Sequence, residues 1–328
     1  MAEAIVEIGQ KRRAAGSGWG YVARVFAATF AILLCLAAAK FFGEHKLAPR
    51  NSGIQGAMAQ PRLDLLLIGS SHTRKAYDMR QLERQTGTGK AFLISYDGAD
   101  LAAMAQVLDA MCAVPERCPR HVVVEAYSAQ LGRRPDLQDP RLFADAPPAM
   151  KMAMIRTYLR SHRAPAAYLD IFDLVVNRGN DEIVAAPLYA WADAADSYKG
   201  GRTATYFPGM TPEAFRRINF GAVPLRPDGD QLAALNRILD IAAARGIAVI
   251  FIDTPMPRPS SSLPGIQALK GDFAAAAEAR GAMYVDGDRG FDIDDPELFA
   301  DSNHLSSKGR EMFTAQIAAR LKNWLAAD

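Results

Sequence analysis

Two short stretches at opposite ends of this chain carry residue types that do chemistry. Leu63 to His72 reads L-D-L-L-L-I-G-S-S-H. The apolar run is too short for a helix with its own core face and reads as a buried parallel strand ending at Gly69. Ser71 follows at once, and a helix is predicted from about Thr73. A hydroxyl at such a strand-to-helix turn sits on the carboxyl edge of a sheet, among backbone N–H groups that favour negative charge. A serine there suits attack on a carbonyl, because its own N–H helps hold the oxyanion that forms. A helix N-cap is the other common use of serine at this position, and on this stretch alone both readings stand.

The second stretch is Asp301-Ser302-Asn303-His304-Leu305, ahead of Ser306-Ser307-Lys308-Gly309 and an amphipathic run from Arg310 to about Leu325. A histidine three residues after an aspartate, in a loop before a helix, has an imidazole that a carboxylate orients and that serves as general base. D-x-x-H alone also fits a solvated loop with a capping Asp or Ser. Its pairing with G-x-S at the far end of the chain gives it weight.

Together these blocks resemble the SGNH (GDSL-like) hydrolase superfamily, over roughly Leu63 to the C-terminus. The resemblance implies Ser71 as nucleophile, His304 as base and Asp301 as the acid that orients it. Gly98, in Ser95-Tyr96-Asp97-Gly98-Ala99, matches the glycine whose N–H joins that of Ser71 in the oxyanion hole. It further implies a three-layer α/β/α parallel sheet in flavodoxin-like strand order, and neither cofactor nor metal. The third signature block, G-x-N-D, is absent. The corresponding strand, His121 to Ala126, runs into Glu125-Ala126-Tyr127-Ser128, so the oxyanion side chain is unassigned and Tyr127 and Ser128 are the candidates.

The elements that must position these residues follow in chain order. Residues 1–18 form a polar tail with Lys11, Arg12 and Arg13, and residues 19–42 an apolar segment flanked by aromatics. Tyr21 to Phe42 would rise about 33 Å as a helix, enough to cross a hydrocarbon core of about 30 Å. A cleaved signal peptide with Ala37-Ala38-Ala39 as its cleavage site is the rival reading. The long leader and the aromatic flank favour a single uncleaved anchor. Basic residues before the span place the N-terminus in the cytoplasm and the remainder on the periplasmic side of the inner membrane. Residues 43–60 read as a tether and 61–328 as one extracytoplasmic domain. Its predicted strands are Leu63–Gly69, Ala91–Ser95, His121–Ala126, Ile247–Asp253 and Ala282–Val285, separated by helices, which implies a parallel sheet covered on both faces.

An insertion of about 128–228 interrupts that rhythm. It holds two predicted helices, Ala149–His162 and Ala166–Asn177, and an aromatic stretch from Trp191 to Phe220 that includes Tyr198-Lys199-Gly200-Gly201-Arg202. A lid or substrate-binding role suits such an insertion, and its aromatics fit either sugar stacking or ordinary packing. His72, beside the nucleophile, and Arg258, after the fourth strand, are further substrate-binding candidates; both also fit solvent-facing positions. Cys112 and Cys118 bracket five residues, a spacing that closes a small disulfide loop in an oxidising compartment and matches no metal site. A formal net charge of +2 without a long basic run excludes nucleic acid as the expected partner.

With an anchor and G-S-S in place of G-D-S, the chain is most similar to the DltD-type and AlgJ/AlgX-type branch. That likeness implies transfer of an acyl group, acetyl foremost, to a cell-envelope polysaccharide. It also implies an MBOAT-type membrane acyltransferase as partner, bringing the acyl group across the bilayer. The same triad with water as acceptor is an esterase, and the absent third block leaves open a non-catalytic scaffold.

Overall fold

Five short apolar strands assemble side by side and all parallel: β1 (Leu65–Gly69), β2 (Ala91–Ser95), β3 (His121–Glu125), β4 (Ala248–Ile252) and β5 (Met283–Val285), in the order β2-β1-β3-β4-β5. The coordinates are a computed structural model that describes residues 20–32, 34–35, 52–137, 139–162, 165–174, 197–202 and 205–327. The strands are apolar throughout because both faces are covered. Leu66, Ile68, Val122, Val124 and Phe251 point to one face, where they pack with α3 (Leu101–Met111), α4 (Gly229–Arg245) and α5 (Pro264–Glu278). Leu65, Leu67, Val123, Ile250 and Ile252 point to the other, against α1 (Ser71–Ala76), α2 (Met79–Thr86) and α6 (Ser307–Leu325). Along α6, Phe313, Ile317 and Leu321 recur every fourth residue and are fully buried. Each such side chain contributes about 1.5–3 kcal/mol relative to leaving it exposed.

The sheet order matters for function. β1 is followed by crossovers that lead to β2 on one side and eventually to β3 on the other, so loops leaving β1 and β3 diverge. A crevice opens there at the carboxyl edge, the usual place for a ligand in an open parallel sheet.

Two sequence readings change. Gly53–Met58, inside the stretch read as a tether, is a helix with Ile54 and Ala57 in the core. Its Ile54 N–H donates to Tyr96 Oη at 2.9 Å and Asp145 Oδ2 at 2.6 Å. The two expected insertion helices are present, at Pro148–Ser161 and Ala166–Asp173, with residues 175–177 of the second expectation outside the described residues. Ser197–Tyr198 and Gly201–Arg202 form a small hairpin against the outer edge of β2, where Leu93 N–H donates to the Lys199 carbonyl at 2.9 Å. Tyr198 Oη donates to Glu83 Oε2 at 2.8 Å and Lys199 pairs with the same carboxylate, so these two residues pack on the edge strand and not at the crevice. Trp191 lies outside the described residues. No helix among the described residues is long and apolar enough to cross a membrane. Residues 20–32 and 34–35 are helical and exposed, and the rest of the segment read as a span lies outside the description.

Cys112 and Cys118 are bonded, at a Cα–Cα separation of 4.4 Å. The pair joins the end of α3 to the approach of β3, at the amino edge of the sheet and away from the crevice. Closing so short a loop is worth about 2 kcal/mol. Replacing both cysteines with alanine is expected to lower unfolding stability by about that amount and to leave the crevice chemistry unchanged. Urea unfolding beside a turnover assay checks both halves.

Beyond β4, the buried Asp253 shares Lys270 with two other carboxylates. Lys270 Nζ lies 3.1 Å from Asp253 Oδ2, 2.9 Å from Asp286 Oδ1 and 2.5 Å from Asp288 Oδ2. Burial, only partly offset by the Lys270 charge, pushes the Asp253 carboxyl up to about 7. A carboxyl raised in the fold binds a proton that the unfolded chain releases. The stability it gives is therefore full below about pH 4 and is lost as pH rises through about 7. Urea midpoints are expected to fall across that window, and Asp253→Asn to flatten the decline. A midpoint that rises over the same window in the wild type would contradict this.

Candidate active site

Ser71 begins α1 directly after β1, and the turn explains why its hydroxyl is available. The N-cap of α1 is Ser70, whose Oγ accepts the His72 N–H at 3.2 Å. The capping role open to Ser71 in the sequence is thus filled by its neighbour. Ser71 Oγ lies 2.8 Å from His304 Nε2.

His304 is held from behind by its own loop. Its Nδ1 is 2.9 Å from both Asp301 Oδ1 and Asp301 Oδ2. Asp301 Oδ1 also accepts the N–H groups of Asn303 at 3.0 Å and His304 at 2.9 Å, closing a tight turn. The loop is fastened by a bridge between Phe299 and Leu305 and by Ser306, which caps α6 by accepting the Gly309 N–H at 3.1 Å. A carboxylate on Nδ1 fixes the proton there and leaves Nε2 as acceptor toward the serine hydroxyl. Burial works to raise the Asp301 carboxyl. The hydrogen bond and charge of His304, the Asn303 N–H and Lys75 outweigh it and hold the group well below the usual carboxylate range. Lys75 Nζ is 3.6 Å from Asp301 Oδ2.

Gly98 follows β2 with φ +68°, a left-handed conformation that suits glycine. Its loop is tied to α1 through an Arg74–Asp97 pair, and Asp97 N–H donates to Asp139 Oδ2 at 2.6 Å. Neither Ser71 N–H nor Gly98 N–H has an acceptor among the described residues, and both residues line the crevice. Two free donors beside a serine hydroxyl are the makings of an oxyanion hole.

His72 is 5% exposed and stacks between two rings, with centroids 3.8 Å from Tyr127 and 4.6 Å from His304. Burial first, and the neighbouring His304 charge second, lower its pKa well below the ordinary value, so it stays neutral. Its Nδ1 has no partner among the described residues, and Asn303 Nδ2 lies 3.5 Å from its Nε2.

The crevice has a volume of about 290 Å³ and a polar wall. His72 and Tyr127 line it, as the sequence suggested for candidates. Ser128 does not: it is fully buried, with an Oγ that has no partner among the described residues. Arg258 does not either. Its guanidinium binds Asp294 at 3.0 and 2.7 Å, one strand further along the sheet. The crevice instead takes Gln130, Arg133, Arg134 and Asn219 from the inserted segment, and Asn303 from the histidine loop. None of these was singled out in the sequence, where polar residues of an irregular insertion carry no positional signal. D-S-N-H did contain Asn303, and a polar residue beside the base was the one available hint. No group of acidic, cysteine or histidine side chains among the described residues is arranged to hold a metal ion.

No family model matches the chain, and no curated protein matches it. Among solved structures, it is similar to a protein of Bacteroides fragilis provisionally designated an acylhydrolase, at 13% identity and a TM-score of 0.40, covering 82% of this chain and 95% of that one.

Proposed function

We propose that this protein is a serine-dependent acyltransferase of SGNH-like architecture that works through an acyl-enzyme on Ser71. The observation that supports it is the chain of contacts from Asp301 through His304 to Ser71, beside two N–H groups with no acceptor among the described residues. His304 Nε2 takes the proton of Ser71 Oγ as the oxygen attacks the acyl carbonyl. The carbonyl oxygen gathers negative charge opposite the N–H groups of Ser71 and Gly98. Collapse breaks the bond to the leaving group, which receives the proton from the imidazolium. A hydroxyl then repeats the sequence in reverse and carries the acyl group away, returning the proton through His304.

The acceptor in this reading is a cell-envelope polysaccharide and the acyl group is short, acetyl foremost. A wall of side-chain amides, arginines, Tyr127 and Phe220 suits a hydroxylated ring better than a long hydrocarbon tail. Residues 19–42 act as a membrane anchor that holds the domain on the periplasmic face, beside an MBOAT-type partner that brings the acyl group across the bilayer, as the likeness to the DltD- and AlgJ/AlgX-type branch implies. Water as acceptor turns the same residues into an esterase.

The deciding experiment incubates the domain with p-nitrophenyl acetate, with and without an oligosaccharide acceptor. Acetylated oligosaccharide in excess of free acetate is the expected result. Turnover to acetate that is indifferent to the acceptor would leave hydrolysis as the activity.

A further inference from the structure

Glu125 closes β3 and sits beneath the nucleophile turn. The side chain is 2% exposed. Its Oε2 accepts Ser70 N–H at 2.7 Å, Thr73 N–H at 3.0 Å and Thr73 Oγ1 at 2.5 Å, while Oε1 accepts Ser70 Oγ at 2.6 Å. Gly69 makes the approach possible, since a Cβ there would lie 1.9 Å from Thr73 Oγ1 and 2.5 Å from Glu125 Oε2. Two further donors at the start of α1 are also taken. His72 N–H goes to Ser70 Oγ at 3.2 Å and Arg74 N–H to the Ser70 carbonyl at 3.2 Å. Ser71 N–H alone among these five residues is left without an acceptor among the described residues.

We infer that Glu125 is a positioning residue for Ser71: by claiming the N–H and hydroxyl groups of Ser70 and Thr73, it fixes the turn so that the one amide left over faces the crevice. The inference rests on the reading of Ser71 as nucleophile. Donation from Ser70 Oγ to Glu125 also sets that hydroxyl's rotor, which leaves its lone pairs for His72 N–H. Burial pushes the Glu125 carboxyl up, and the Ser70 and Thr73 hydrogen bonds pull against that.

The charge itself argues for a positional role. An anion behind the oxyanion hole opposes the charge that develops there, so electrostatics alone would make its removal accelerate acylation. Positioning predicts the reverse. A carboxamide has one oxygen and cannot satisfy the donors on both sides, so the turn shifts, and shifts of about 1 Å at a reacting centre cost roughly 100-fold.

The test measures phosphonylation of Ser71 by a fluorophosphonate in the wild type and in Glu125→Gln. The maximal labelling rate is expected to fall roughly 10- to 100-fold, with half-saturation and the final number of labelled sites unchanged. Simple destabilisation would lower the number of sites and not the rate. An unchanged or faster rate in Glu125→Gln overturns the inference. Should that variant fail to fold, the pair Thr73→Ser and Thr73→Val decides: serine keeps the hydroxyl and the rate, and valine slows it. Equal rates in the two would overturn it.

Residue-resolved amide exchange reads the same clamp without chemistry. Ser70 and Thr73 amides are expected to be protected in the wild type and to lose protection in Glu125→Gln, with Ser71 unprotected throughout. Unprotected Ser70 and Thr73 amides in the wild type overturn the clamp. A wild type that takes no label refutes the nucleophile reading instead, and leaves the exchange result to judge Glu125.

Discussion

Ser71→Ala is expected to lower kcat/KM for p-nitrophenyl acetate by roughly 10⁴-fold or more, with the unfolding midpoint close to that of the wild type. The size of the loss follows from removing the hydroxyl on which the proposed acyl-enzyme forms. What remains is whatever the N–H groups of Ser71 and Gly98 do for attack by water, since both are backbone and survive the substitution. Stability should hold because the helix is capped by Ser70 and not by Ser71. Steady-state kinetics and urea unfolding on the same preparation check the two halves. A loss of activity accompanied by a fall in stability of several kcal/mol would return Ser71 to a structural role.

Asp301→Asn is expected to cost a comparable factor, roughly 10⁴-fold in kcat, through the tautomer of His304. The carboxylate now accepts from Nδ1 at 2.9 Å, which leaves Nε2 bare toward Ser71 Oγ. An amide can turn its NH₂ toward Nδ1, which drives the ring proton to Nε2. An imidazole that donates toward Ser71 cannot take the serine proton. The turn itself should persist, because the amide oxygen still accepts the Asn303 and His304 N–H groups. Since the Asp301 carboxyl is held well below its ordinary value, its contribution to stability is present above about pH 4 and lost only as pH falls below that. Kinetics at several pH values test this. An Asp301→Asn variant within tenfold of wild type would show that the imidazole is oriented by something else.

How far the sequence led depends on which residues carry local signals. The strands were legible because a parallel sheet covered on both faces leaves uninterrupted apolar runs such as Leu65–Ile68 and Val122–Val124. Ser71 and the D-x-x-H loop were read from their places just after the first strand and just before the last helix, whereas Gly98, three residues past β2, was placed only by the resemblance to SGNH hydrolases. Glu125 was not: an acid at the end of an apolar strand looks the same whether it faces solvent or supports a neighbouring turn. Its burial depends on Gly69 and Thr73, more than fifty residues away.

Arg258 shows the converse error. Its place after β4 put it on the correct edge of the sheet, but β4 lies one strand away from the β1–β3 crevice, and Asp294 captures its guanidinium. Gln130, Arg133, Arg134 and Asn219 come from the insertion, whose path is set by long-range packing and not by periodicity. The Gly53–Met58 helix was missed because six residues are too few for a periodic signal.

The most direct measurement of the central claim is a rapid acid quench of the enzyme during turnover of p-nitrophenyl acetate, followed by peptide mass mapping. One acetyl group on Ser71 is the predicted result, accumulating in the wild type and absent from Ser71→Ala. Full turnover with Ser71 unmodified, or an acetyl group carried on another side chain that persists in Ser71→Ala, would contradict the account.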